Sequence, residues 1–205
     1  MDKLKSKLIA VLFVAFLYPH PTLSRTVTFE QTFSDKPIPV PPATQGQMAD
    51  AFIDVTDPIL ITDIDITLRL THSNIGDLQI YLSSPSDSGL PVKRICLFSY
   101  NNIVISNTGT ELMDVIFDDA AAQPVGELKG DITGRFKPKN GSSLSEFNNR
   151  SALGRWRLEI SDIYYSDTGR LDYLALTITN PEPASILTVT VGAAILLHRR
   201  SRKKS

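Results

Sequence analysis

The chain has 205 residues, 42% of them hydrophobic and 21% charged, with a formal net charge of -1 and a pI of about 6.3. That balance suits one globular core with targeting segments, and it excludes recruitment of nucleic acid by a global positive field. Cys96 stands alone, which excludes an internal disulfide and any cysteine-based metal site.

Residues 1–24 have the layout of a secretory signal peptide. Lys3, Lys5 and Lys7 form a basic start, and residues 8–17 are an apolar run too short to span a bilayer stably. Tyr18-Pro19-His20-Pro21 ends the run, and Thr22 and Ser24 supply the small residues that precede a cut after Ser24. The first partner implied is therefore a signal peptidase.

Residues 25–50 are expected to hold a first strand at 26–33 and then an irregular lead-in. Pro37, Pro39, Pro41 and Pro42 deny a central strand, because proline removes ladder donors. Beyond this point the apolar period is two. Ile64, Ile66, Leu68 and Leu70 alternate with polar residues in 63–71, and Leu78, Ile80 and Leu82 repeat the pattern. Trp156, Leu158 and Ile160 do the same, as do Leu174, Leu176 and Ile178. Each such stretch is a strand with one face in a core and one in water. Weaker strands are expected at 51–55, 92–99 and 113–117, with Cys96 inside a strand rather than reactive. Gly76 is expected at positive φ in a tight corner, and Gly169 at unusual dihedrals in the turn Asp167-Thr168-Gly169. No helical stripe interrupts residues 32–179. The expected fold is all-β, a jelly-roll-like β-sandwich of about eight strands.

Residues 181–205 change character. Pro181-Glu182-Pro183 precedes an apolar segment at 184–197, and a basic end at 198–204 carries Arg199, Arg200, Arg202, Lys203 and Lys204. A short apolar helix closed by fixed positive charge is a stop-transfer arrangement. This tail resembles the PEP-CTERM sorting signal of Gram-negative exported proteins. The resemblance implies an exosortase-type membrane partner that recognises Pro181, Glu182 and Pro183, transient membrane insertion, and release to the cell surface or extracellular matrix.

The ordered motifs of the middle resemble the P domain, or P/Homo B domain, of proprotein convertases and bacterial subtilases. They include Pro37-Ile38-Pro39, Ile64-Asp65-Ile66-Thr67-Leu68 and Thr71-His72-Ser73-Asn74-Ile75-Gly76-Asp77-Leu78. Further on come Phe117-Asp118-Asp119-Ala120, Leu144-Ser145-Glu146-Phe147-Asn148, the strand 154–162 and Asp167-Thr168-Gly169-Arg170-Leu171. The resemblance implies a β-sandwich whose task is protein contact. A separately encoded subtilisin-like serine endopeptidase is then a natural partner, with exopolysaccharide as the other.

Catalysis is not expected. The catalytic domain of the resembled proteases is missing, and His20 and His198 lie in the end segments, leaving only His72 to serve as a general base. Asp118 and Asp119 are neighbours on a strand, so they point to opposite faces rather than form a facing acid/base pair. Asp77, Asp118, Asp119, Asp162 and Asp167 all fall at strand ends or turns. That placement suits structural Ca²⁺ if several of them converge. No other cofactor is implied.

Overall fold

The computed structural model describes residues 24–38, 46–47, 50–86, 90–99, 111–125, 130–139, 141–163 and 168–181. The apolar run of the expected signal peptide, the 184–197 segment, Glu182, Pro183 and Asp167 lie outside the described residues.

The described chain is a two-sheet β-sandwich. One sheet contains β1 (Ser24–Thr32), β2 (Pro37–Ile38), β5 (Asp63–His72), β8 (Glu111–Phe117), β9 (Ile132–Phe136) and β11 (Gly169–Pro181). Its order is β1-β11-β5-β8-β9, with β2 also on β11. The other sheet contains β3 (Gly46–Gln47), β4 (Ala51–Val55), β6 (Leu78–Ser83), β7 (Arg94–Ser99) and β10 (Gly154–Asp162). Its order is β3-β10-β6-β7, with β4 also on β10. All pairings are antiparallel except β8 with β9.

The period-two stretches become these strands because alternation puts every apolar residue on one face. In β5 the residues Ile64, Ile66, Leu68 and Leu70 are fully buried, and Ile80, Leu82, Leu158 and Ile160 face them from the other sheet. Burying such a side chain contributes about 1.5–3 kcal/mol. Trp156 plugs the core edge-on against Phe147, with ring centroids 4.9 Å apart and planes at 75°. Its indole Nε1–H donates to Ala152 O at 2.8 Å, the acceptor that a buried indole needs.

Of the lead-in prolines, Pro37 begins the short strand β2, and Pro39, Pro41 and Pro42 lie outside the described residues. Between β1 and β4 only two-residue pairings form among the described residues, β2 on β11 and β3 on β10. Two glycine expectations are corrected. Gly76 does not take positive φ, because the corner is a 3-10 turn, Ile75–Asp77, closed by Leu78 N–H donating to Ile75 O. Gly169 is not at positive φ either. Space demands it instead: a Cβ there would lie 2.3 Å from Thr71 O and 2.5 Å from His72 Cδ2. The parallel edge strand β9 was not anticipated, since Ile132-Thr133-Gly134-Arg135-Phe136 carries apolar residues only at its ends.

Candidate functional site

His72 ends β5 and is fully buried. Its Nδ1 lies 2.8 Å from Asn74 O and 3.1 Å from Asn74 N. It donates to the carbonyl when protonated and accepts from the amide when bare. Nε2 faces Asp162 Oδ2 at 3.4 Å, longer than an ordinary N–H···O bond. Asp162 ends β10 in the opposite sheet, so the pair bridges the two layers. Around it, Asn74 Nδ2 donates to Asp77 Oδ2 at 2.8 Å, and Ile75 N–H donates to Glu111 Oε2 at 2.9 Å. Ile163 N–H donates to Asp77 O at 3.1 Å. His72, Asn74, Asp77, Glu111 and Asp162 thus form a desolvated polar cluster, whose internal bonds offset part of the cost of burial, while His72 Nε2 and Asn74 Oδ1 have no hydrogen-bond partner among the described residues. Chemically this is a clamp on the corner between β5 and β6. With 0% exposure, His72 has no route to a substrate proton, because general-base work needs hydrogen-bond reach to that proton.

The carboxylates expected to converge lie in two separate places. Asp77 and Asp162 belong to the His72 cluster. Asp118 and Asp119 follow β8, whose Phe117 pairs with Ile66 while Glu111 pairs with His72. The two sites are therefore about 20 Å apart along β5. Asp118 Oδ1 accepts from Ala120 N at 2.7 Å, and Oδ2 accepts from Arg135 Nη1 at 2.5 Å. Arg135 Nη2 also donates to Asp65 Oδ2 at 3.2 Å. Burial, and then the Asp118 charge, push the Asp65 carboxyl up to about 6, with Arg135 opposing. Asp119 accepts from Leu144 N at 2.9 Å, Ser145 N at 2.7 Å and Ser143 Oγ at 2.5 Å. It thereby caps the 3-10 turn Leu144–Phe147. Among the described residues no three His, Cys, Asp or Glu side chains are grouped to hold a metal ion.

A feature the sequence pattern did not single out lies at the end of the sandwich away from His72. Leu60, Leu90, Val92 and Leu153 are 43–53% exposed there. Leu60 bridges Ser151, and Arg150 Nη1 donates to Pro91 O at 2.8 Å. These contacts tie the β4–β5, β6–β7 and pre-β10 segments into one apolar rim. The charge pairs Lys93–Glu146 and Arg155–Asp54 stand nearby.

No family model matches the chain, and no curated protein matches it. Among solved structures, it is similar to a chain in the complex of Aeromonas sobria serine protease with the chaperone ORF2. That similarity has 16% identity and a TM-score of 0.48, and it covers 78% of this chain and 28% of that one. The serine protease of Aeromonas sobria gives 17% identity and a TM-score of 0.48, over 81% of this chain and 28% of that one. A structure of infectious bursal disease virus Gt strain gives 13% identity and a TM-score of 0.36, over 76% and 32%. The chain spans less than a third of each of these proteins.

Proposed function

We propose that this chain is an exported, surface-sorted, non-catalytic interaction module whose partner is a protein. On this reading the signal peptide directs export, and the Pro181-Glu182-Pro183 tail sorts the domain to the cell surface. The carrying observation is the rim of Leu60, Leu90, Val92 and Leu153, exposed at one end of an otherwise well-packed sandwich. Polysaccharide surfaces favour flat exposed aromatic rings. Among the described residues, the large exposed hydrophobic side chains are aliphatic apart from Phe52, which lies under Arg155 at 5.3 Å. A protein partner fits better. The P-domain resemblance makes that partner a separately encoded subtilisin-like serine endopeptidase, docked and stabilised by this module. The buried His72 supports the non-catalytic part of the reading.

The test uses the exported protein, a subtilase encoded beside it, and purified exopolysaccharide. The expected result is retention of the protease and a longer thermal half-life for it. Leu60→Asp with Leu153→Asp abolishes both while leaving the unfolding midpoint of the module unchanged. Retention of polymer alone, or labelling of a specific serine by a serine-directed probe, overturns the proposal.

A further inference from the structure

We propose that the outer edge of β1 is a homodimer interface, where a second copy of this chain adds its own β1 antiparallel and joins two sheets into one. A bare strand edge is a template for pairing, so folded proteins blunt it with short length, bulges, proline or charge. The other edges of this sandwich are blunted in those ways. β9 has five residues, with Gly134 at φ +127 and Arg135 beside it. β4 also has five, and Arg155 and Asp54 form an ion pair on its outward face. β7 follows Lys93, begins at Arg94, and pairs through an irregularity at Ile80/Tyr81.

β1 is not short, bulged or broken by proline, and its two charged residues, Arg25 and Glu30, are of opposite sign and flank its centre. It runs for nine residues without proline or lysine, and its register with β11 is unbroken from Ser24↔Pro181 to Thr32↔Tyr173. Among the described residues no strand pairs with its far side.

The strand is also complementary to itself. A two-fold axis through Thr28 lets Arg25–Gln31 pair with its copy. Val27 then stands opposite Phe29, Thr26 opposite Glu30, Arg25 opposite Gln31, and Thr28 opposite Thr28. No like charges meet. Val27 and Phe29 are partly buried against the core, and the dimer completes their cover with a β-branched–aromatic pair on each side of the axis. Thr28 of the copy extends an existing hydroxyl row, in which Thr28 meets Thr177 at 3.1 Å and Thr26 meets Thr179 at 3.3 Å. Moving the axis to Val27 sets Arg25 against Phe29, and moving it to Phe29 sets Val27 against Gln31. The interface is therefore isologous with a defined register.

Sedimentation equilibrium of the full chain is expected to show a dimer. Thr28→Lys places two ammonium groups at the axis and is expected to weaken association by about tenfold or more, with the monomer still folding cooperatively. In a Cys96→Ser background, Thr28→Cys is expected to crosslink to its copy on oxidation. Thr26→Cys is not, because its symmetry mate lies about 13 Å away along the strand. A monomeric wild type, a dimer indifferent to Thr28→Lys, or equal crosslinking at positions 26 and 28 overturns the proposal.

Discussion

Gly169→Ala isolates a steric constraint that sequence alone misreads. The added Cβ would meet Thr71 O at 2.3 Å, His72 Cδ2 at 2.5 Å and His72 Cα at 2.9 Å. Two of these atoms are backbone of β5, which is locked in register by Gly169↔His72 and Arg170↔Thr71. The third belongs to a ring held by Asn74. None can rotate away, so the strands must part and disturb the His72–Asp162 contact. Overpacking of this kind costs about 2–3 kcal/mol. Gly141→Ala is the control: φ is +87 but nothing lies within 4 Å, so only backbone strain of about 1 kcal/mol applies. Gly154→Ala combines both faults, with φ +123 and Pro85 Cβ at 2.8 Å, and is expected to cost about 3 kcal/mol or more. Urea unfolding at neutral pH reads the order 154, 169, 141 from midpoints at constant slope. If Gly169→Ala costs no more than Gly141→Ala, the close approach of β11 to β5 is wrong.

Trp156→Phe removes the Nε1–H bond to Ala152 O and part of the ring contact, an expected loss of about 2 kcal/mol in the same assay. Asp119→Ala strips the cap from Ser143, Leu144 and Ser145, costing about 1–2 kcal/mol and exposing that turn to limited proteolysis. Asp65 has a folded pKa near 6, above its unfolded value, so the folded state binds more protons between about pH 4 and 6 and stability falls as pH rises through that window. Asp65→Asn is expected to remove this slope, gaining up to about 1 kcal/mol above pH 6 after solvent screening; thermal melts from pH 4 to 8 check it. If Ca²⁺ raises the unfolding temperature, the increment is expected to vanish with Asp77→Asn and Asp162→Asn or with Asp118→Asn and Asp119→Asn, but not with both sets, because the two ends are separate.

The sandwich was legible because its central strands alternate cleanly. Ile64 through Leu70 and Trp156 through Ile160 announce which face is buried, whatever the partner strand. β9 was illegible for the opposite reason: Thr133-Gly134-Arg135 carries no apolar residue, and its place is set by Ile132 and Phe136 alone. Site residues followed the same logic. Asp77 and Asp162 were marked by their positions at strand ends, but the contact of Asp162 with His72 was visible only once β5 and β10 were laid across each other. Asp118 and Asp119 read as potential ligands because side-chain chemistry is local, whereas their actual partners Arg135 and Leu144 are distant in sequence. Gly169 misled because positive φ and lack of room leave the same residue in a sequence.

The two ends of the sandwich divide its polar and apolar chemistry in an unusual way. At the His72 end, ionisable groups are withdrawn from water and packed against one another, which fixes the β5–β6 corner. At the Leu60 end, aliphatic side chains stay in water although the core beside them is well packed. A domain selected for stability alone would favour the reverse. The buried cluster makes the scaffold rigid, and rigidity lowers the entropy cost of presenting the exposed rim to a partner. Function is therefore expected at the Leu60 end, with the His72 end holding the geometry in place.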